Sequence, residues 1–219
     1  MACFWERGYE AASLRDLTDC MGISSPSLYA AFGHKRSLFS QALEHYCQTI
    51  THDRIARLEA EFPARARAGA FLAEVIALAV GDTQRRGCLL VNTAIEVAPH
   101  DAEIGERVQA HLNEVRAFFE RSFVASVVAG ALPPETDCPR AADLMMAVLL
   151  GIRVLARTQA LTAQLDGIAF AALASLGLGD TLACQRARAA GGGESTGNSG
   201  DQTGQVQGGG RPPTPDLSG

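Results

Sequence analysis

The feature that most constrains this chain is the stretch 13–35, which reads SLRDLTDCMGISSPSLYAAFGHK and holds two short helical patterns joined by a turn. Ser13 and Asp16 have the spacing of a helix start, where a hydroxyl and a carboxylate satisfy free backbone N–H groups. Gly22 can adopt the left-handed backbone conformation that ends a helix, and Ser24 offers a second N-cap directly after the turn. The stretch therefore predicts a helix-turn-helix.

The second helical pattern has one apolar side and one side of small or hydroxyl-bearing residues. Leu28 and Phe32 recur at helical spacing and are predicted to face inward. The residues predicted to face solvent are Ser25, Ser27, Tyr29 and Ala30. A surface of this kind fits into the major groove of DNA without carrying many charges.

The wider run FWERGYEAASLRDLTDCMGISSPSLYAAFGHKRSLFSQAL resembles the amino-terminal domain of TetR-type transcriptional regulators, and residues 22–35 carry most of the match. The resemblance is close over the first part of the chain, and the remainder matches only as a helical layout. It implies a ligand-responsive repressor that binds double-stranded operator DNA as a homodimer and is released by a small molecule. A helical hairpin packed inside an unrelated all-α protein is the alternative that short motifs leave open.

The resemblance also implies which residues contact DNA. Ser13 and Lys35, each at the start of a helix, are expected to contact phosphates, and Tyr29 is expected to reach the backbone through its phenol. The residues expected to face base edges are Ser25, Pro26, Ser27 and Ala30. The apolar members of this set would meet thymine methyl groups.

The charge of the chain argues against strong nonspecific binding to nucleic acid. The net charge is −5 at pH 7, and acidic side chains outnumber basic ones within the first 47 residues. TetR-type regulators usually have a longer first helix preceded by a basic arm, so the resemblance predicts that the first helix here is truncated and that Met1 is not the true start. The rival function is a helical protein-interaction module of the same fold that has lost DNA binding.

The composition favours an all-α fold, because 47% of the residues are hydrophobic, only 6% are aromatic, and alanine and leucine dominate. We expect a small three-helix DNA-binding head with the helix-turn-helix, and a larger helical body for ligand binding and dimerisation. The predicted boundaries are 1–47 for the head, 48–182 for the body and 183–219 for a disordered tail rich in Gly, Ser and Pro.

Five helical segments are predicted in the body, after a connector helix that runs from His34 to about Leu58. They cover residues 64–82, 88–97, 101–130, 141–161 and 166–178. The last two segments are apolar on most sides and need cover on two faces. They form either the dimer contact of a four-helix bundle or an ordinary intrachain core.

The body is predicted to bind a small, mostly apolar effector. Apolar helices supply the lining, and the polar candidates among them are Cys88, Asn92, Thr93, His111 and Arg153. Asn92 and Thr93 could instead bond to backbone, His111 could lie on the solvent face, and Arg153 could pair with an acid. Cys88 is either a buried structural thiol or a sensor of electrophiles or oxidants.

No motif for catalysis or metal binding occurs in the sequence. The five histidines and six cysteines show no metal-ligand spacing, and there is no phosphate-binding glycine loop and no G-x-S-x-G elbow. We therefore expect neither an enzyme nor a cofactor. Cysteines scattered without a C-x-x-C pair indicate reduced thiols in a cytoplasm. Glu74 and Arg153 interrupt the most apolar stretches before they reach the length of a membrane span.

Overall fold

The structure is a computed structural model that describes residues 1–158 and 160–182, and every regular element in this part of the chain is a helix. The all-α prediction is confirmed. The tail predicted for residues 183–219 lies outside the described residues. In chain order the α-helices are α1 (Ala2–Arg7), α2 (Leu14–Met21), α3 (Ser25–Phe32), α4 (Lys35–Tyr46), α5 (Asp53–Glu61), α6 (Ala64–Gly81), α7 (Leu89–Glu96), α8 (Ala102–Val128), α9 (Cys138–Leu155) and α10 (Thr162–Ser175).

The helix-turn-helix forms as predicted, and side-chain caps begin both of its helices. The Ser13 hydroxyl accepts a hydrogen bond from the Asp16 N–H at 3.1 Å, and the Asp16 carboxylate accepts one from the Ser13 N–H at 2.9 Å. Gly22 ends α2 with φ 65°, in the left-handed region. The Ser24 hydroxyl then accepts a bond from the Ser27 N–H at 3.3 Å and starts α3. These caps satisfy donors that the two helices would otherwise leave unpaired.

One long helical run connects the head to the body. It begins at α4, where the N-cap residue His34 accepts a hydrogen bond from the Ser37 N–H at 3.1 Å through Nδ1. A π-helical segment, Cys47–His52, joins α4 to α5, and the run ends at Glu61, slightly beyond the predicted end at Leu58. The π segment widens one turn without interrupting the helix.

The body is built around α8, which packs against α6 and α9. Phe71 of α6 lies against Phe118 and Phe119 of α8, with ring centroids 5.5 and 5.3 Å from those two rings, and all three side chains are buried. Aromatic rings at such distances add to the energy of simple area burial. None of the helices in the described part of the chain is long and apolar enough to cross a membrane.

The helix predicted at 141–161 occupies Cys138–Leu155 instead. It starts earlier because Pro139 fits in the first turn, where its missing N–H needs no partner. It ends earlier because Thr158 donates its hydroxyl to the Leu155 carbonyl oxygen at 2.7 Å, which favours a turn over another helical turn.

The helix predicted at 166–178 occupies Thr162–Ser175. Gly177 has φ 72°, and the Leu178 N–H reaches back to the Leu173 carbonyl oxygen at 2.8 Å. This left-handed glycine ends α10 before Leu178, whose side chain is fully buried below the helix end.

The head shares its hydrophobic core with the body. Leu28 and Phe39 of the head are buried in one cluster with Leu89 of α7 and Ile104 of α8. A second cluster fills the rest of the body between α5, α6, α8, α9 and α10. The boundary predicted at residue 47 therefore does not coincide with a gap in the packing.

Substitution of Gly69 on α6 tests how tightly this helix packs against Thr181. A Cβ at this position would lie 3.0 Å from the Thr181 Cβ and 3.1 Å from the Thr181 carbonyl carbon. We expect Gly69→Ala to lower the free energy of unfolding in urea by ~1–3 kcal/mol, because overpacking forces the backbone apart. The matched control is Gly81→Ala at the end of the same helix, where nothing lies within 4 Å of the added Cβ. That variant should be neutral or slightly stabilising, and equal effects of the two substitutions would contradict the packing described.

Candidate DNA-binding surface and ligand cavity

The outer face of α3 carries the residues predicted to meet base edges. Leu28 is fully buried and anchors α3 to the head, which turns the opposite face of the helix to solvent. Tyr29 projects from that face with 46% of its surface exposed. The other exposed residues of the face are Ser25, Pro26, Ser27 and Ala30. Because α3 carries no charged side chain, base readout here would depend on hydroxyl hydrogen bonds and apolar contact.

Lys35 begins α4 next to the helix-turn-helix, and the head holds its side chain in place. Its Nζ donates to the Glu10 carbonyl oxygen at 3.2 Å and lies 4.7 Å from the centre of the Tyr9 ring. An ammonium group has three N–H donors, so this tether leaves two for a phosphate. The tether also reduces the rotamer freedom that Lys35 would lose on binding.

Arg15 is more available to a phosphate than Ser13, although sequence reasoning did not single it out. The Ser13 hydroxyl donates to the Asp16 carboxylate at 2.5 Å and is engaged in the cap, and Arg7 also pairs with Asp16 at 2.6 Å. The Arg15 side chain is 91% exposed, and its ion pair with Asp19 is loose at 3.8 Å. Its position in the first turn of α2, at the positive end of the helix dipole, was the signal that could have identified it.

Arg36 fastens the head to the body. Its Nε and Nη2 donate to the Asp101 carboxylate at 2.5 and 2.9 Å, and Nη2 also donates to Glu103 at 2.7 Å. The hydrogen bond from Arg36, followed by the one from the Ile104 N–H, lowers the pKa of Asp101 to about 2. Arg36 is therefore occupied by the start of α8 and is not free for DNA.

Three further contacts join the head to residues between α6 and the end of α7. Trp5 of α1 donates its indole N–H to the Gly87 carbonyl oxygen at 3.1 Å, and the Arg86 guanidinium lies 4.7 Å from the indole ring centre. The Glu96 carboxylate at the end of α7 accepts a hydrogen bond from the Glu10 N–H at 2.9 Å. Sequence reasoning missed Trp5 and Arg86, since they are far apart in the chain and no local pattern links them.

A cavity of about 320 Å³ lies where the head meets the body. The head contributes Trp5, the connector contributes Tyr46 and Ile50, and the body contributes Leu78 and Arg153. The volume is at the lower end of the range for small-molecule sites. A ligand in this cavity would touch the head, the connector and the body at once.

Two of the five predicted pocket residues line cavities in the structure. Arg153 lines the 320 Å³ cavity and also a deeper one of about 30 Å³, which Cys88 lines as well. Cys88 is buried, and its sulfur accepts a hydrogen bond from the Tyr46 hydroxyl at 3.4 Å. Burial raises the pKa of Tyr46, so the phenol keeps its proton at neutral pH and remains the donor.

The other three predicted pocket residues line neither of these two cavities. Asn92 braces the segment before α7 by donating its side-chain amide to the Arg86 carbonyl oxygen at 2.9 Å. Thr93 donates its hydroxyl to a backbone carbonyl of its own helix. His111 lies on α8 with Nε2 3.2 Å from the Glu44 carboxylate of α4. Periodicity did not distinguish these structural roles from ligand contact.

Two family profiles match the chain. The profile described as "Bacterial regulatory proteins, tetR family" matches residues 1–42, and the profile described as "Tetracyclin repressor-like, C-terminal domain" matches residues 64–172. Together they cover the helix-turn-helix and most of the body.

Individual relatives agree with these profiles. The HTH-type transcriptional repressor ComR of Escherichia coli is 28% identical over 171 residues, which cover 77% of this chain and 81% of ComR. A cysteine mutant of the TetR family transcriptional regulator CifR, solved with 26-bp double-strand operator DNA, is 34% identical with a TM-score of 0.71, and the match covers 79% of this chain and 91% of that one. A TetR transcriptional regulator from Chloroflexus aurantiacus is 25% identical with a TM-score of 0.72, over 80% of this chain and 89% of that one.

Asp101→Asn tests the ion pair between Arg36 and Asp101, which we call the clasp between head and body. The amide can still cap α8 but carries no charge to pair with Arg36. We expect a lower thermal unfolding midpoint than in the unsubstituted protein at pH 7. Since the pKa of Asp101 is lowered on folding, its charge stabilises the protein at neutral pH, and this contribution is lost as the pH falls from about 4 to about 2. Differential scanning fluorimetry across this range should show the two midpoints converging.

Asp143→Asn is the matched control for that experiment. Asp143 pairs with Arg116 within the body and its side chain is 61% exposed, so the substitution should change the midpoint less. A constant difference between the Asp101→Asn variant and the parent protein at every pH would argue against the clasp.

Proposed function

We propose that this chain, which belongs to the TetR family of bacterial regulatory proteins, represses transcription from an operator and leaves the DNA when a small molecule fills the cavity between head and body. Membership of the family makes it a DNA-binding transcriptional regulator that acts as a homodimer. The observation that carries the proposal is the capped helix-turn-helix, which holds the Tyr29 face of α3 free of the body. We assign the chain no enzymatic activity and place it in the cytoplasm, where bacterial regulators meet DNA.

In this proposal the DNA contacts divide into two kinds. Lys35 and Arg15 neutralise phosphates, and Ser13 contributes only through the start of α2. Tyr29 bonds to the backbone through its phenol. The residues that enter the major groove are Ser25, Pro26, Ser27 and Ala30. The small number of available cations favours an operator complex whose specificity comes from fit and whose affinity is sensitive to salt.

For the dimer we propose the outer faces of α9 and α10. Leu144 and Val154 of α9 and Phe170 of α10 are 41%, 46% and 50% exposed. Gly151 and Gly167 on the same two helices have nothing within 4 Å of an added Cβ, so a second backbone could approach closely there. The opposite faces of both helices are buried in the intrachain core. The two alternatives left open by the sequence are therefore compatible, with one face for each role.

The response to ligand follows from the position of the cavity. Two heads must lie about 34 Å apart to enter successive major grooves. A ligand that touches Trp5, Tyr46 and Ile50 binds most tightly when α1 and the connector have one particular arrangement. If that arrangement does not match the spacing of the half-sites, ligand and DNA weaken each other's binding to the same extent.

Substitution of the proposed phosphate ligands tests the DNA-binding mode. We expect Lys35→Ala and Arg15→Ala each to lower affinity for the DNA next to the gene of this chain, and to reduce the slope of log K against log salt by about one per protomer, since each removes one phosphate contact. Tyr29→Ala should lower affinity on the order of tenfold without changing the slope, because its hydroxyl is neutral. Fluorescence anisotropy at several salt concentrations measures both quantities.

The control for these variants is Arg121→Ala, which removes an equal charge from α8, 53% exposed and far along the body. It should leave both affinity and slope unchanged. If the unsubstituted protein binds this DNA no more tightly than a scrambled duplex at every salt concentration tested, the protein-interaction module is favoured instead.

Phe170→Glu tests the proposed dimer contact. A carboxylate on each of two facing copies of α10 would be desolvated without a partner, and we expect the dissociation constant of the dimer to rise by about 100-fold or more. Sedimentation velocity measures the shift from dimer to monomer. Ile95→Glu is the control, since Ile95 is 66% exposed on α7 and outside the proposed contact. A Phe170→Glu variant that remains as dimeric as this control would rule out the proposed interface.

A further inference from the structure

Arg153 is a buried arginine that has no partner within the part of the chain that the structure describes. It lies near the end of α9 with only 8% of its surface exposed, and it makes no hydrogen bond and no ion pair with any residue in the described ranges 1–158 and 160–182. Buried charges are normally paired, because removing an ion from water costs several kcal/mol. Its position on the walls of both cavities gives this cation access to a ligand.

Glu74, the carboxylate beside the buried Arg54 on the smaller cavity, is already shared by two other arginines. Arg54, which is also buried, has its Nε 3.2 Å from Glu74, and Arg57 donates to the same carboxylate at 2.7 Å. Burial, followed by the charge of Arg153, lowers the pKa of Arg54, which indicates that the two guanidinium groups are close enough to repel. Glu74 therefore compensates one buried arginine, and the charge of Arg153 is left over.

The walls of the 320 Å³ cavity also carry more positive than negative side chains. Arg85, Arg86 and Arg153 line it together with one acid, Asp82. That acid is engaged, since it accepts a hydrogen bond from the Arg86 N–H at 2.7 Å and pairs with the Arg86 Nε at 3.2 Å. Much of the remaining lining is apolar and includes Trp5 and other side chains of the head, the connector and α6.

We propose that the effector is a small organic monoanion, with a carboxylate bound by Arg153 and an apolar part against Trp5, Ile50 and Leu78. A planar guanidinium fits a carboxylate in two parallel hydrogen bonds, and one unpaired buried cation calls for one negative charge. This inference rests on the proposed function, because it names the ligand class for the same cavity. The sequence predicted a small, mostly apolar effector, and the proposal adds one negative charge to that molecule. A neutral molecule would leave the positive charge of Arg153 without a counterion.

The only tryptophan of the chain, Trp5, lines this cavity and reports its occupancy. The intact protein is titrated with three acids, phenylacetate, benzoate and hexanoate, with the neutral amide of each, and with inorganic phosphate, while Trp5 fluorescence is recorded. We expect at least one acid to bind saturably and at least about tenfold more tightly than its amide, since the buried guanidinium acts on the charged form alone. Phosphate alone should bind weakly, because it has no apolar part.

Arg153→Gln should remove the preference for the acid over the amide. The control is Arg121→Gln, an exposed arginine of α8 that does not line this cavity, which should keep the dissociation constant of the acid within about threefold. The proposal is overturned if no acid is preferred over its amide, if phosphate binds as tightly as the acids, or if Arg153→Gln binds acids as the parent protein does.

Arg153→Met provides a second measurement that needs no ligand. We expect the ligand-free variant to unfold at a higher temperature than the parent, because an uncompensated buried cation has been removed. The acid should raise the midpoint of the parent and not that of the variant. A lower midpoint in the ligand-free variant would mean that the protein itself compensates Arg153, and the proposal would then be wrong.

The operator complex separates this inference from the proposed function. If an acid binds through Arg153 but leaves the complex with operator DNA intact, the anion site is supported. The proposal that a ligand in this cavity releases the DNA is then contradicted. If an amide releases the DNA as effectively as its acid does, the proposed response to ligand is supported. The proposal that the effector is an anion is then contradicted.

Discussion

The packing that runs without a gap from head to body is the constraint on which the rest of the structure depends. The first three helices have six, eight and eight residues, too little chain to bury a stable core alone. Leu28, which fixes the reading face of α3, and Phe39 of α4 are buried in the same cluster as Leu89 of α7 and Ile104 of α8. The geometry of the DNA-binding surface is therefore partly specified by residues of the body. A displacement of α7 or α8 cannot leave that surface unaffected.

The polar contacts across the same boundary compete with DNA for the few cations of the head. Arg36 would be well placed by charge to bind phosphate, but it is held by Asp101 and Glu103. These ion pairs neutralise the charge of Arg36, which weakens the electrostatic attraction of the head to nucleic acid. They also hold the head to the start of α8. A regulator gains from this exchange, since tight DNA binding is useful to it only if the ligand can still reverse it. The head has few basic residues in its sequence, and its attachment to the body occupies one of them, Arg36.

The sequence predicted those parts of the fold that depend on neighbours in the chain. The Ser13 cap and the Gly22 turn involve contacts over three or four residues, and the helices of the body followed from their apolar periodicity. The cavity between head and body could not be predicted in this way, because periodicity assigns a residue to a face without saying what lies opposite. The Asn92 side-chain amide donates a hydrogen bond to a backbone carbonyl oxygen. Arg153 instead lines a cavity together with Trp5, which lies far from it in the sequence. Helix ends were missed where a side chain such as Thr158 bonds to the backbone in place of the next turn.

The π segment Cys47–His52 determines the rotational phase of the connector. Each residue of an α-helix advances the chain by about 100° around the axis, and a π turn contains one residue more than an α turn would. The face that Tyr46 presents to the cavity and the face that Leu58 presents to the body core are thus offset from the positions that a regular helix would give them. Converting this one turn to regular α-helix would rotate the head about the connector axis by a large fraction of a right angle or more, with no hinge and no break in the hydrogen-bonded chain.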